Sequence, residues 1–201
     1  MTARGPRLIL ASASPRRREM LERIGLSFEV LPVRLDERIE TGEAADAATR
    51  RLAGDKARAA SRARPDCFVL AADTVVVLGE RILGKPRDAD DAAAMLDNLS
   101  GREHRVVTGY AATAPGAEPS VAHSESRVRF KTLTADEIAW YVDTGEPLDK
   151  AGAYAIQGRA AALVEAVHGS YTNVVGLPLA EALALLRSVG WSGRPGERET
   201  P

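Results

Sequence analysis

Residues 7–17 carry the sequence RLILASASPRR, and this stretch indicates the fold class. The apolar run Arg7–Ala11 is typical of a buried β-strand. Ser14 and Pro15 then favour a helix start, with a hydroxyl N-cap and a proline at the first helical position. The spacing of apolar residues predicts that this helix runs to about Ile24. A strand that leads directly into a helix is the first half of an α/β unit.

The rest of the chain continues this alternation, with a pair of strands in the middle. Further strands are predicted at 27–33, 67–72, 75–78, 105–113, 120–133 and 160–167. The sequence GERILG at 79–84 is typical of a hairpin turn. Further helices are predicted at 44–64, 88–99, 134–145 and 177–189, the third of them opened by a capping-box spacing in TADE at 134–137. The pattern predicts an α/β fold with a mixed sheet and flanking helices.

Length and composition favour one folded domain. The chain has 201 residues, of which 45% are hydrophobic, enough for a sizeable core. There is no internal repeat and no low-complexity linker. We therefore expect a single domain over residues 1–191. The polar tail at 192–201, which contains proline and glycine, is expected to be disordered.

Charge and cysteine content exclude several classes of protein. Lysine plus arginine total 27 and aspartate plus glutamate total 28, whereas a nucleic-acid-binding protein usually has a basic excess. Cys67 is the only cysteine, so no intramolecular disulfide can form. No segment of the sequence resembles a signal peptide or a membrane span. We expect a cytoplasmic protein with no nucleic-acid or membrane partner.

The first candidate site lies where the first strand meets the first helix. Free N–H groups and the helix dipole favour an anion there. Ser12 can donate a hydroxyl hydrogen bond, and arginine can bind phosphate through two hydrogen bonds. Arg17 shares the apolar face of the helix with Met20 and Leu21, whereas Arg16 lies to one side of it. The alternative is a solvated basic first turn.

Three further features are weak when taken singly. Lys56 projects from a small apolar stripe of its helix, either toward a buried anion or toward the surface past the alanines. Asp73 and Thr74 follow an apolar strand, where ligands bind in α/β proteins, but a turn aspartate is the commoner case. Lys85 in Gly84-Lys85-Pro86 is either a phosphate ligand or an exposed loop lysine.

Other common catalytic motifs are absent from the sequence. The three histidines have no metal-ligand spacing, and Cys67 within an apolar run is better explained as a core residue than as a nucleophile. The chain contains no phosphate-binding GxxxxGK[ST] loop and no GxSxG nucleophile motif. The candidate residues together supply inward-facing cations, a carboxylate and a helix N-terminus that favours an anion. Metal-assisted cleavage of a phosphoanhydride needs these groups.

At this point the sequence resembles the Maf family, also called septum formation inhibitor Maf proteins. The resemblance spans about residues 7–190 and depends on eight blocks that occur in the same order. These blocks are LILASASPRR (8–17), LDER (35–38), RLAGDKA (51–57), LAADTVV (70–76), LGKPRDADDAAAML (83–96), LSGREHRVVTG (99–109), EPLDKAGAYAIQG (146–158) and GSYTNVVGLPL (169–179).

The resemblance implies a fold and a reaction. Maf proteins are similar in fold to inosine triphosphate pyrophosphatases, with an elongated mixed sheet and two lobes around a central cleft. They hydrolyse nucleoside triphosphates between the α and β phosphates with a divalent cation, Mg²⁺ or Mn²⁺. By this resemblance Asp73 is the catalytic carboxylate and Glu37 joins it at the metal. The triphosphate-binding positions match Ser12, Arg17, Lys56 and Lys85.

Within the family, three positions distinguish the branch that acts on dTTP and UTP, and they match Arg16, Thr74 and Gln157. The resemblance thus implies a dTTP/UTP pyrophosphatase with a small-molecule nucleotide substrate and a homodimeric state. Two alternatives stay open. One is a pyrophosphatase for 7-methyl-GTP or non-standard purine nucleotides, and the other is a non-catalytic nucleotide-binding regulator of cell division.

Overall fold

The computed structural model describes residues 7–196, and within them seven strands and six α-helices alternate much as predicted. The strands are β1 (Leu8–Leu10), β2 (Glu29–Val30), β3 (Phe68–Leu78), β4 (Arg81–Leu83), β5 (Glu103–Thr113), β6 (Ser120–Phe130) and β7 (Val164–His168). The helices are α1 (Pro15–Arg23), α2 (Ala45–Ala63), α3 (Ala89–Leu99), α4 (Ala135–Asp143), α5 (Tyr171–Val175) and α6 (Leu179–Ser188). Short 3₁₀ helices span Glu146–Asp149, Ala151–Ala153 and Arg159–Leu163.

The strands form one mixed sheet in the order β2-β1-β3-β5-β6-β7, with β4 paired to β3. Strand β1 runs parallel to both β2 and β3, whereas β4 is antiparallel to β3 and β7 is antiparallel to β6. This arrangement confirms the predicted α/β class with a mixed sheet. In the β1–β3 pair, Leu8 is opposite Phe68 and Leu10 is opposite Leu70.

Contacts divide the chain into two compact units. The first contains the described residues up to Asp73, then Gly109–His123, then the described residues from Gly176. Its core packs the alanine stripe of α2 onto the sheet, and its buried members are Ile9, Ala11, Ala53, Ala57, Ala60, Cys67, Val69, Ala71 and Ala111. Small residues let the helix approach closely. At Gly109 a Cβ would lie 2.2 Å from the carbonyl of Thr49, so no larger residue fits.

The second unit contains Thr74–Thr108 and Ser124–Val175. Its helix α4 begins with the predicted capping box, in which the Thr134 hydroxyl accepts from the Glu137 N–H and the Glu137 carboxylate accepts from the Thr134 N–H. At Gly152, where φ is +69°, a Cβ would lie 2.9 Å from Val76. The second 3₁₀ helix is therefore packed tightly against β3.

Several predicted boundaries were wrong. The strand predicted at 27–33 is only two residues long, because β2 pairs with β1 alone over Glu29–Val30. The strand predicted at 160–167 begins at Val164, after a 3₁₀ turn. The short helix α5 has too few residues to show a period in the sequence and was not predicted. The predicted single domain stays a prediction.

The predicted disordered tail lies partly outside the described residues, since 197–201 are beyond them. Of the part described, the Gly196 N–H donates to the Gly25 carbonyl at 3.0 Å. Within residues 7–196, no helix combines the length and the apolar character that crossing a membrane requires.

An aromatic cluster in the second unit contains a buried histidine. The His104 ring makes edge-on contacts with Phe130 and Tyr154, and its Nε2 lies 2.8 Å from the Tyr154 hydroxyl. Its Nδ1 is buried with no hydrogen-bond partner among the described residues. Since this apolar setting disfavours the imidazolium, burial lowers the pKa of His104 to about 4.

This histidine makes folding stability sensitive to acid. An unfolded histidine has a pKa of about 6.5, so between about pH 6.5 and pH 4 the unfolded chain binds more protons than the folded one. The stabilisation is complete above that window and is lost as the pH falls through it. We expect the unfolding free energy of the wild type to fall by up to about 1.4 kcal/mol more per pH unit than that of His104→Gln. Urea unfolding of both proteins across the window measures this, and parallel curves would contradict it.

Candidate active site

The start of α1 holds a buried arginine, as its helical phase predicted. Arg17 is 8% exposed and Ser12 is 6% exposed. The Arg17 guanidinium donates from Nη1 to the Ser12 Oγ at 3.0 Å and from Nε to the Gly176 carbonyl at 2.7 Å. These bonds fix the guanidinium beside the helix N-terminus, where unpaired N–H groups favour an anion.

The prediction that the Ser14 hydroxyl caps this helix was wrong. Ser14 occupies the N-cap position with extended backbone, and Pro15 follows it, but the Ser14 side chain makes no capping hydrogen bond. Instead its N–H donates to the Ser12 Oγ at 3.2 Å. Ser12 Oγ thus accepts hydrogen bonds from the Ser14 N–H and from Arg17. The neighbouring Arg16 is half-buried.

A buried lysine connects two carboxylates. Lys56 on α2 is 6% exposed, and its Nζ lies 2.6 Å from Asp73 Oδ1 and 2.7 Å from Glu37 Oε1. The inward interpretation of Lys56 is therefore confirmed, and the surface alternative is wrong. The resemblance matched Asp73 and Glu37 to one site, and the structure brings both to the same ammonium group.

Asp73 lies inside β3 and not after a strand that ends at Ala72, as the sequence had suggested. Its position still follows the rule for α/β proteins. The parallel pairing of β1 with β3 ends at Leu10 and Leu70, so Asp73 lies just beyond the carboxyl end of β1. Ligands bind at such positions in open α/β sheets. Asp73 is 8% exposed, which excludes an ordinary surface turn.

Electrostatics link Arg17 to the same group of side chains. Burial lowers the pKa of the Arg17 guanidinium, and the neighbouring charge of Asp73 opposes that shift. Nearby Arg16 lowers the pKa of Arg17 further, and Glu37 raises it. The cluster of Ser12, Arg17, Glu37, Lys56 and Asp73 thus holds two buried cations and two carboxylates within the first unit. We call these five residues the cation–carboxylate cluster.

The donor set of this cluster bears on the metal that the resemblance implies. Among residues 7–196 no three histidine, cysteine, aspartate or glutamate side chains are grouped so that they could hold a metal ion. Two carboxylates are nevertheless what Mg²⁺ commonly takes from a protein, since it keeps waters and binds substrate phosphates at its other positions. Asp73 and Glu37 therefore fit a metal that is completed by water and phosphate, and do not form an all-protein cage.

The remaining predicted residues belong to the second unit. Lys85 is exposed in the loop after β4, and Gln157 is half-buried in a turn. The Thr74 hydroxyl lies 2.9 Å from the Thr108 hydroxyl, which donates to the Asn173 carbonyl at 3.1 Å. The Gly84 carbonyl accepts from the Gly152 N–H at 2.9 Å, so the loop that carries Lys85 is joined to the segment that leads to Gln157.

Two supporting groups were missed. The Gly176 carbonyl holds Arg17 across 159 residues of sequence, and a backbone oxygen leaves no side-chain signal. Thr108 and Asn173 support Thr74, yet their residue types are ordinary in a strand and a short helix. No local pattern could have found either group.

Known proteins resemble this chain over most of its length. The family model described as "Maf-like protein" matches residues 7–189. A Myxococcus xanthus protein named dTTP/UTP pyrophosphatase is 52% identical over 91% of this chain and 92% of its own length. An Anaeromyxobacter dehalogenans protein of the same name is 55% identical over 92% of this chain and 95% of its own length.

A solved structure shares the fold. The HAM1 protein from Coxiella burnetii matches with a TM-score of 0.51 at 16% identity, over 90% of this chain and 99% of that chain. At this identity the match concerns the fold alone.

Proposed function

This chain belongs to the Maf-like protein family, and on that premise we propose that it hydrolyses dTTP and UTP to the nucleoside monophosphate and pyrophosphate. The relatives named dTTP/UTP pyrophosphatase are about half identical to it over most of its length. The observation that carries the proposal is Lys56, buried between Asp73 and Glu37. Burying charged groups on folding costs free energy, so buried charges of this kind favour a functional site over a structural one.

The proposed reaction is attack by water on the α-phosphorus. A bond forms between the water oxygen and the α-phosphorus, and the bond from that phosphorus to the oxygen bridging to the β-phosphate breaks. We assign Asp73 to hold the water and take its proton, since the resemblance matches it to the catalytic carboxylate and it is the more buried of the two carboxylates in the cluster. Lys56, at 2.6 Å from Asp73, keeps that carboxylate in place.

Negative charge grows on the leaving pyrophosphate, and fixed cations stabilise it. Ser12 and the Gly176 carbonyl hold the Arg17 guanidinium in place, so it needs little rearrangement to bind a phosphate. We assign phosphate binding to Ser12, Arg17, Lys56 and Lys85. A divalent cation held by Asp73 and Glu37 would offset phosphate charge.

Base preference is assigned to Arg16, Thr74 and Gln157. An amide side chain offers both a donor and an acceptor, which matches the mixed edge of a uracil or thymine ring. Gln157 is therefore the residue of the three best suited to bind the base. A homodimeric state and a cytoplasmic location stay predictions.

The test is pyrophosphate release from a panel of nucleotides by the purified protein. We expect dTTP and UTP to be hydrolysed with the highest kcat/KM, and each turnover to yield one monophosphate and one pyrophosphate. A preference for 7-methyl-GTP or a non-standard purine nucleotide would replace this proposal with the purine alternative. Binding of nucleotides without any hydrolysis would favour a regulator.

A further inference from the structure

Gln157 lies in a tight turn whose two ends are held by side chains. The Gly158 N–H donates to the Ala155 carbonyl at 2.9 Å, so Ile156 and Gln157 are the two central residues of a turn. The Ala155 N–H donates to the Tyr141 hydroxyl at 3.0 Å. On the other side, the Arg159 N–H donates to Glu146 Oε2 at 3.2 Å.

Tyr141 and Glu146 are themselves joined. The Tyr141 hydroxyl donates to Glu146 Oε1 at 2.8 Å, so one carboxylate and one phenol bond to backbone groups on both sides of the turn. The Tyr141 side chain is fully buried, and burial together with the Glu146 carboxylate raises its pKa, so its hydroxyl remains a donor. Both oxygens of the Glu146 carboxylate are thus engaged, one by Tyr141 and one by Arg159.

Gly158 completes the arrangement. A Cβ at this position would lie 2.3 Å from Glu146 Oε1 and 2.4 Å from its Cδ, well inside contact distance. The end of a glutamate can usually move aside, but here its hydrogen bonds to Tyr141 and Arg159 hold it. The contact with Glu146 therefore leaves no room for a side chain at position 158.

We propose that Tyr141 and Glu146 are positioning residues for base recognition, which hold the turn so that the Gln157 amide meets the nucleobase in one orientation. This inference depends on the proposed function, since it assigns the base contact to Gln157. A side chain that is only half-buried has few contacts of its own to fix it. The orientation of the Gln157 amide therefore depends on the backbone of the turn, and Tyr141 and Glu146 hold that backbone.

The experiment compares Glu146→Gln, Tyr141→Phe and Gly158→Ala with the wild type. Gln157→Glu sets the scale for a lost base contact, and Glu80→Gln, at an exposed hairpin carboxylate of the same unit, is the matched control. For each protein we measure kcat and KM with UTP and with GTP, inhibition by inorganic tripolyphosphate, and the midpoint of thermal unfolding. Tripolyphosphate has no base, so it reports phosphate binding alone.

We expect each of the three variants, like Gln157→Glu, to lower the ratio of kcat/KM for UTP over GTP several-fold, mainly through KM for UTP. Inhibition by tripolyphosphate should stay within about twofold of the wild type. Glu80→Gln should change neither quantity. The inference would be overturned if the three folded variants kept the wild-type UTP/GTP ratio while Gln157→Glu lowered it. An equal loss of kcat/KM for UTP and GTP would also overturn it.

A coupling test separates the carboxylate contact from general damage. Gly158→Ala should impair base preference in the wild type but add little in a Glu146→Ser background, where the carboxylate that it would strike is gone. Additive effects would contradict the contact. If the wild type releases no pyrophosphate from UTP or dTTP, the proposed function fails by itself. Amide hydrogen exchange across 155–159, faster in Glu146→Gln than in the wild type, then still tests whether the turn is held as described.

Discussion

Replacing Asp73 with asparagine is expected to lower kcat for UTP hydrolysis by at least about 10²-fold, because a positioned general base contributes roughly 10²–10⁴ to a rate. The amide has nearly the same shape, and its Oδ1 can still accept from Lys56 Nζ, which lies 2.6 Å away in the wild type. What it cannot do is take a proton from water. The variant should therefore be folded and nearly inactive.

The measurement is steady-state pyrophosphate release together with urea unfolding of the same preparation. Asp97→Asn is the matched control, since Asp97 is an exposed carboxylate on α3. It should retain wild-type kcat. A folded Asp73→Asn protein whose kcat is within a few-fold of the wild type would remove Asp73 from the proposed mechanism.

The parts of this site that local physics fixes could be predicted from the sequence. Arg17 and Lys56 each lie on the apolar face of a regular helix, and both are buried. Helical phase put both on that face, but for Lys56 it left a surface position open. The capping box at Thr134 and Glu137 is likewise local, because both bonds form within one turn. Such features depend on spacing that the sequence states directly.

Other parts depend on partners that are distant in the sequence. Glu37 lies in a segment, 31–44, to which no helix or strand is assigned, so no periodicity could orient it, and only the resemblance placed it at the site. The length of β2 was set by its single partner β1 and not by its own apolar run. The Ser14 side chain was expected to cap α1 but makes no such bond. The Ser14 N–H donates to the Ser12 hydroxyl, which also accepts from Arg17.

Asp73 shows how a local and a distant effect combine. The sequence suggested that a strand ended before it, whereas β3 continues to Leu78 through pairing with β4. Asp73 still lies beyond a strand end, because β1 pairs with β3 only as far as Leu10. The strand that ends at a ligand site is determined by how the strands pair in the sheet. It cannot be predicted from the sequence of one strand.

Replacing Lys56 with methionine is expected to destabilise the protein by about 3 kcal/mol or more, since removing one partner of a buried pair leaves an uncompensated charge. The Lys56 side chain is 8% exposed and that of Asp73 is 12% exposed. Methionine has a similar length and is apolar, so lost packing adds little. The cost arises from the Asp73 carboxylate, which loses its cationic partner in a largely buried position. Urea unfolding at pH 7 measures it.

Second substitutions identify which carboxylate causes the loss. Lys56→Met with Asp73→Asn should regain most of the stability, because no buried unpaired charge remains. Lys56→Met with Glu37→Gln should regain little, since the Glu37 side chain is 53% exposed and water can solvate it. Both double variants lack a member of the proposed phosphate and metal site, so neither should regain turnover of UTP.

A matched control uses the same substitution at an exposed pair. Lys131 bonds to Glu137 with side chains that are 43% and 32% exposed, and Lys131→Met should cost no more than about 1 kcal/mol. If Lys56→Met costs as little as this control, Lys56 and Asp73 are not a tightly buried pair in solution. If the Glu37 double variant recovers more stability than the Asp73 double variant, the charge that Lys56 offsets is that of Glu37. The free energy of unfolding, measured on the wild type and these four variants, thus identifies which carboxylate Lys56 stabilises.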